Sequence, residues 1–211
     1  MIPTKEEWLK ALKERHGIEL QKKISSTTVA VCGLGGLGSN IATVLSRAGI
    51  GKLILIDFDK VDITNLHRQQ YKANQIGMDK TEALRKNLKE INPYIETEIH
   101  TVSVDEENAE DLLSEADIIC EAFDDAECKA MLASCVLEKL PDKYFVAASG
   151  MAGLGSPNEI HTRKVTLRFY LCGDEKSDVK DDIGLISSRV MLCAAHQAHT
   201  VLRIIANKFE V

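Results

Sequence analysis

A run of glycines near the start of the chain supplies the first residues whose types and spacing could do chemistry. The run reads Gly33-Leu34-Gly35-Gly36-Leu37-Gly38-Ser39, and an apolar segment at residues 29–32 precedes it directly. Glycine allows a sharp turn and a close approach of the backbone to an anion, and N–H groups at a helix start attract negative charge. The pattern predicts a phosphate site between a strand and a helix. The alternative is that these glycines only permit close packing of that helix on the strand.

An acidic residue, Asp57, ends the next apolar run, residues 52–56. In a strand–helix–strand unit, an acid at this position can accept hydrogen bonds from the hydroxyls of a ribose. A phosphate site and a ribose site together predict a bound nucleotide. On these residues alone, an NAD-dependent oxidoreductase is one suitable function.

The segment that begins at Asp57 is dense in polar groups, and it favours a different function from an oxidoreductase. It reads Asp57-Phe58-Asp59-Lys60-Val61-Asp62-Ile63-Thr64-Asn65-Leu66-His67-Arg68-Gln69. Together with the glycine run it resembles the ThiF/MoeB/HesA family, relatives of the ubiquitin-activating enzymes. The resemblance extends from about residue 10 to the end of the chain and includes the Ile91-Asn92-Pro93 turn. Enzymes of that family use ATP to adenylate the C-terminal carboxylate of a small ubiquitin-like protein.

The resemblance implies a role for individual residues. Asp57 would hold the ribose, and Asp124 matches the acid that the family uses for Mg²⁺ and catalysis. Arg68, Lys80 and Arg15 would be the catalytic cations, with Arg15 inserted into the active site of the partner in a homodimer. The residues that would bind ATP lie in the glycine run, in the polar segment and at the lysine beyond it: Gly33, Gly35, Gly36, Gly38, Asp57, Asp59, Asn65, Arg68, Gln69 and Lys80.

The chemistry of adenylation suits these residue types. A terminal carboxylate has a pKa of about 3.3–3.7, so it is an ionised nucleophile near neutral pH and needs no general base. The obstacle is to bring this anion onto a polyanionic triphosphate, and cations, Mg²⁺ and backbone N–H groups remove that obstacle. Taken singly, Arg68 or Lys80 could be an ordinary solvated residue. Their joint positions after successive predicted strand ends favour a catalytic function.

Several departures from the family pattern indicate which branch of the family this sequence most resembles. The run Glu121-Ala122-Phe123-Asp124-Asp125 replaces the usual Asp-x-x-Asp-Asn, which leaves open how the backbone beside Asp125 is held. Longer members bind structural zinc through two Cys-x-x-Cys pairs, and none of the six cysteines forms such a pair, so no structural zinc is expected. Residues 177–182 lack the cysteine that some members use for a covalent intermediate, and Cys172 is an outside candidate. The short form most resembles the ThiF branch, whose substrate is the ThiS sulfur carrier of thiamine thiazole synthesis.

The elements that must position these residues alternate along the chain. Apolar segments at 29–32, 52–56, 117–123 and 144–148 and an alternating segment at 95–104 predict strands, and helical spacing lies between them. This rhythm favours an α/β fold, a Rossmann-like, doubly wound and mostly parallel sheet. After residue 150 we expect a hairpin or two edge strands at 160–171, a charged loop at 176–182 and a long closing helix at 184–208. The chain is therefore predicted as one domain, with a helical segment at 1–24, a nucleotide-binding core at 25–150 and closing elements at 151–211.

Composition bounds the remaining possibilities. The 211 residues are 45% hydrophobic and carry a net charge of −6, so a nucleic-acid surface is not expected. The N-terminus is unlike a signal peptide and no apolar run could span a membrane, so we expect a cytoplasmic protein. His196 and His199 share a helical face but lack a third ligand nearby, which favours packing over metal binding. An oxidoreductase, a non-catalytic module that binds a ubiquitin-like partner, a molybdopterin-type carrier and a tRNA substrate remain as alternatives.

Overall fold

A seven-stranded sheet forms the centre of the computed structural model, which describes residues 2–180 and 183–211. The strands are β1 (Thr28–Cys32), β2 (Lys52–Ile56), β3 (Glu96–His100), β4 (Ile118–Glu121), β5 (Tyr144–Ala148), β6 (His161–Lys164) and β7 (Phe169–Gly173). Their order across the sheet is β3-β2-β1-β4-β5-β7-β6. Every neighbouring pair is parallel except β6 and β7, which are antiparallel. This arrangement confirms the predicted doubly wound, mostly parallel α/β fold.

Helices cover both faces of the sheet. They are α1 (Lys5–His16), α2 (Ile18–Ser26), α3 (Gly36–Ala48), α4 (Lys80–Ile91), α5 (Ala109–Leu113), α6 (Ala126–Lys139) and α7 (Ser187–Ile205). Successive strand residues point to opposite faces, so Val31 and Leu55 join one core with α3, α4 and α7. Ala30 and Ile54 join a second core with α5 and α6. Burial on both faces explains why these strands are continuous apolar runs rather than alternating ones.

The last part of the sheet takes the form of the predicted hairpin. Strand β7 lies beside β5, with Phe145 in register with Phe169, and β6 pairs with β7 at the outer edge. Helix α7 follows the hairpin, so the closing helix is confirmed with slightly tighter ends than residues 184–208. The charged loop predicted at 176–182 lies partly outside the described residues.

The N-terminal segment forms two helices rather than one, because Gly17 interrupts them with a positive φ of 84°. Helix α1 has no buried residue, and it lies on the outside of the fold. Within the ranges given above, no helix combines the length and the apolar character needed to span a membrane.

Candidate functional site

A cavity of about 400 Å³ opens at the carboxyl ends of the central strands. Its walls include Gly33 after β1, Asp57 after β2, Ala122 after β4 and Ala148 at the end of β5. The chain runs outward from β1 to β3 on one side and from β4 onward on the other, so a crevice forms between β1 and β4. Open α/β sheets bind their ligands at such a switch point.

Close packing and a positive φ explain the glycines at 33 and 38. Gly33 has a φ of 88°, and a Cβ there would lie 2.7 Å from the carbonyl oxygen of Ala122. A Cβ on Gly38 would lie 1.8 Å from the carbonyl oxygen of Gly33. Gly33, Gly35 and Gly36 line the cavity, but Gly38 is buried in α3 behind the loop. Gly38 therefore belongs to the packing alternative, since it lets the helix approach the turn.

Two side chains from other parts of the fold hold the glycine loop at Leu34. The backbone N–H of Leu34 donates to Asp57 Oδ2 at 2.6 Å, and the hydroxyl of Tyr71 donates to the carbonyl oxygen of Leu34 at 2.7 Å. The second carboxylate oxygen of Asp57 accepts from the N–H of Asp59 at 2.8 Å. Burial raises the pKa of Asp57, while the nearby Lys80 charge and these N–H groups oppose the rise. Asp57 thus organises the loop, a role in addition to the predicted contact with ribose.

Lys80 lies beside Asp57 as a buried cation, only 5% exposed. Its Nζ is 2.6 Å from Asp59 Oδ2 and 3.8 Å from Asp57 Oδ2. An isolated antiparallel bridge joins Lys60, near the start of the polar segment, to Asp79, so Lys80 returns to the strand end where that segment begins. Asp79 directly precedes α4, but its carboxylate pairs with Lys60 at 3.2 Å and makes no capping hydrogen bond to the helix.

Asn65, Arg68 and Gln69 come to the same cavity on a short turn. Arg68 Nη1 donates to the carbonyl oxygen of Thr64 at 3.3 Å, and Asn65 accepts from the N–H of Asp62 at 3.3 Å. Arg68 Nε and Gln69 Oε1 are buried, and each lacks a hydrogen-bond partner among the residues described. Buried polar atoms are normally paired, so these two atoms indicate that the cavity accommodates a polar ligand.

Two acidic residues that follow β4 also line the cavity. Asp124 is exposed and lines the cavity. Asp125 caps α6, because its Oδ1 accepts from the N–H of Cys128 at 2.8 Å. That hydrogen bond lowers the pKa of Asp125 and answers how the backbone is held where the family pattern has asparagine.

A buried ion pair at the same corner was missed by the sequence analysis. Glu121 is 1% exposed, and Lys129 Nζ lies 2.8 and 3.0 Å from its two carboxylate oxygens. Lys129 also donates to the carbonyl oxygen of Ala148 at 3.1 Å, which ties α6 to the end of β5. The sequence did carry a signal for this ion pair, because an acidic residue ends the predicted strand and a lysine follows eight residues later in the next helix.

Three groups singled out from the sequence lie away from the cavity. Arg15 is exposed on α1. Cys172 is fully buried in β7, and burial raises the pKa of its thiol to about 11, so Cys172 does not suit the proposed covalent role. His196 Nδ1 is 3.0 Å from Thr162 Oγ1, and no cluster of three or more metal-ligating side chains occurs in the described ranges.

The cavity can neutralise and orient a polyanion. The glycine loop, the guanidinium of Arg68, the ammonium of Lys80 and the carboxylate of Asp124 line it together. Fixed donors and cations in a partly closed site are the groups that stabilise charge during phosphoryl-type transfer.

Comparison with known proteins gives a family for this chain. The model of the ThiF family matches residues 9–211. The adenylyltransferase and sulfurtransferase MOCS3 of Caenorhabditis briggsae is 37% identical over 132 residues, which are 62% of this chain and 33% of that protein. Ubiquitin-like modifier-activating enzyme 5 of Caenorhabditis elegans is 45% identical over 96 residues, 46% of this chain and 23% of that protein. The matched regions thus span about a quarter to a third of these relatives.

Solved structures agree with the fold. The Escherichia coli tRNA N6-threonylcarbamoyladenosine dehydratase TcdA, in complex with ATP, has a TM-score of 0.87 at 19% identity and covers 99% of this chain and 98% of that one. Escherichia coli MccB, with AMPCPP and MccA, has a TM-score of 0.72 at 20% identity over 90% of this chain and 59% of that one. With a family match over nearly its whole length, the chain belongs to the ThiF family.

Proposed function

We propose that this protein is an adenylyltransferase that uses ATP to activate the C-terminal carboxylate of a small ubiquitin-like carrier protein. A carboxylate oxygen forms a bond to the α-phosphorus of ATP, and the bond from that phosphorus to the bridging oxygen of the β-phosphate breaks. Pyrophosphate leaves with the electron pair, and no proton is transferred. The observation that carries the proposal is the meeting of the glycine loop, Arg68, Lys80 and Asp124 in one cavity.

The chain's own groups supply most of what the reaction needs. N–H groups of the glycine loop and the guanidinium of Arg68, whose Nε has no partner among the described residues, can donate to phosphate oxygens. Lys80 is held within 2.6 Å of Asp59, so its charge stays at the cavity before ATP arrives. Preorganised charge of this kind needs little rearrangement during the reaction, which is why it lowers the barrier.

Asp124 fits the role of a magnesium ligand. It is an exposed carboxylate at the cavity, and Mg²⁺ bound to nucleotides commonly takes one or two protein carboxylates, with phosphates and water as its other ligands. When bound, Mg²⁺ would neutralise negative charge on the phosphates. Asn65 and Gln69 are then proposed to contact the polyphosphate, and Asp57 the ribose.

The carrier and the assembly are the finer parts of the proposal. We propose a ThiS-like sulfur carrier whose tail reaches the cavity between residues 148–152 and Ser177, which line its mouth. The adenylyltransferase and sulfurtransferase activities named for MOCS3 support a sulfur carrier. Arg15, exposed on α1 and outside its own cavity, is available to a second subunit, and we propose a homodimer on that basis.

Carrier-dependent exchange of pyrophosphate into ATP tests the proposed reaction. The Asp124→Asn variant should lose about 10²–10³-fold in exchange rate, the size of loss seen when one electrostatic contributor is removed. Asp125→Asn is the matched control, because asparagine also caps helices and the same charge is removed one residue away. Equal losses in the two variants would contradict the role of Asp124.

Comparing candidate substrates separates the alternatives. Mass spectrometry of ThiS-like and molybdopterin-type carriers incubated with ATP should find a carrier-AMP product on the ThiS-like protein.

Thermal stabilisation by NADH but not by ATP would instead favour an oxidoreductase. Mixing Arg15→Ala with Asp124→Ala subunits should restore part of the activity if Arg15 acts in the partner's site.

A further inference from the structure

Two adjacent side chains of helix α3, Ser39 and Asn40, form hydrogen bonds with the turn that carries Arg68. Asn40 Nδ2 donates to the carbonyl oxygen of Arg68 at 3.2 Å, and Asn40 Oδ1 accepts from the side-chain amide of Gln70 at 2.7 Å. Ser39 Oγ accepts from the backbone N–H of Gln70 at 3.1 Å. The backbone on both sides of Gln69 is therefore tied to the helix that begins at the glycine loop.

These hydrogen bonds are buried, and they leave the side-chain amide of Asn40 little conformational freedom. Asn40 is 4% exposed and Ser39 is fully buried. Asn40 Nδ2 also donates to the carbonyl oxygen of Gly36 at 2.7 Å, so both ends of the amide are bonded. Neither Ser39 nor Asn40 lines the cavity. Any effect of Asn40 on a ligand must therefore act through the turn or through the backbone of Gly36 at the start of α3.

The same hydrogen bonds also fix the backbone position from which the Arg68 side chain extends. The aliphatic part of Arg68 lies over Gly36, since a Cβ at Gly36 would be 3.4 Å from Arg68 Cγ and 3.5 Å from Cδ. Arg68 Nε is buried near this point without a partner in the described part of the chain. The Arg68 side chain thus begins at a backbone position that Asn40 fixes, and it crosses the first turn of α3.

We propose that Asn40 is a positioning residue, which holds Arg68 against the start of α3 so that its guanidinium meets the phosphates of ATP. The inference rests on the proposed function, because it assumes that phosphates occupy this cavity. Asn40 itself does not touch the nucleotide. Its removal should therefore reduce chiefly the binding that Arg68 provides.

The test compares Asn40→Leu with Arg68→Met and with the double variant. Leucine matches asparagine closely in size and is neutral, so it adds no charge that could repel ATP directly. The matched control is Asn92→Leu. Asn92 is 3% exposed and its amide donates to the carbonyl oxygen of Ser46 at 3.2 Å, at the other end of α3. Calorimetry measures the Kd of each full-length variant for ATP and for adenosine, and thermal unfolding measures Tm.

Asn40→Leu should weaken ATP binding about tenfold and adenosine binding little, because the lost interaction is with phosphate. It should have little further effect in the Arg68→Met background, while Asn92→Leu lowers Tm but leaves the Kd for ATP unchanged. Independent, multiplying effects of Asn40→Leu and Arg68→Met would overturn the proposal, as would equal losses for ATP and adenosine. A wild-type protein that binds no ATP would overturn it together with the proposed function. The expected binding pattern without carrier-dependent exchange would refute the adenylation alone.

Discussion

Replacing Lys129 by methionine should destabilise the protein, because it strands a buried charge at the edge of the cavity. The side chain of Glu121 is 2% exposed, and Lys129 Nζ contacts both of its oxygens. Methionine keeps the length of the side chain and removes the charge. Removing one partner of a buried ion pair costs about 3–5 kcal/mol. Since the side chain of Lys129 is 24% exposed, we expect the lower end of that range.

The expected loss is large enough to measure directly. About 3 kcal/mol corresponds to a decrease in Tm of roughly 6–12 °C for a domain of this size. Lys52→Met is the control, because Lys52 pairs at 2.6 and 2.7 Å with Glu98 and Glu115, whose side chains are 40% and 70% exposed. Ion pairs with such exposed partners contribute about 0–1 kcal/mol.

The loss should also depend on pH, with a sign that follows from Glu121. Burial raises the pKa of Glu121 above its ordinary value of 4.5, and Lys129 opposes this rise. Without Lys129 the pKa in the folded state rises further, so the folded protein holds a proton that the unfolded chain has released. Stability therefore falls as pH rises from the unfolded pKa toward the folded one. The deficit of Lys129→Met should be smaller at about pH 5 than at about pH 8.

Thermal unfolding followed by circular dichroism at these two pH values checks the reasoning. The double variant Glu121→Gln with Lys129→Met should recover most of the lost Tm, because glutamine carries no charge and keeps an oxygen for the N–H of Phe123, now bonded at 2.7 Å. A deficit no larger than that of Lys52→Met, or one that is the same at both pH values, would refute the assignment.

Two further predictions concern the cavity walls. Cys128 is half-exposed and lines the cavity, whereas the other five cysteines are buried, so iodoacetamide should modify Cys128 alone and ATP should slow the reaction. Because the thiolate is the reactive form and Asp125 raises the pKa of this thiol, the rate should increase with pH and continue to increase beyond the ordinary pKa of a cysteine. Peptide mass spectrometry that finds modification at another cysteine would contradict the prediction. Tyr71→Phe removes the donor to the Leu34 carbonyl, so the free energy of unfolding should decrease by about 1 kcal/mol and ATP binding should weaken several-fold. An unchanged Kd for ATP in calorimetry would show that the glycine loop does not depend on this bond.

The sequence predicted which loops meet at the cavity, because the carboxyl ends of parallel strands lie along one edge of a sheet. Gly33, Asp57 and Asp124 each follow a strand whose apolar run was visible, and the structure brings all three to the same walls. Local patterns also predicted the closing helix and the hairpin. Boundaries were less accurate: the strand predicted at 95–104 ends at His100, where the chain leaves the sheet.

Only the tertiary structure decided which side chains support the site. The bond from Tyr71 to the loop joins residues 37 apart, and the bond from Asn40 to the backbone of Arg68 joins residues 28 apart. The sequence pattern predicted Gly38 as a ligand-binding glycine, and only the packed structure shows that the approach of α3 to Gly33 gives it a packing role. Periodicity and motif spacing describe neighbours within about one element, whereas these contacts depend on how separate elements pack against each other. For that reason the chain's pattern of residues determined the location of the site, and the packing of helices on the sheet determined how its cations and its glycine loop are held.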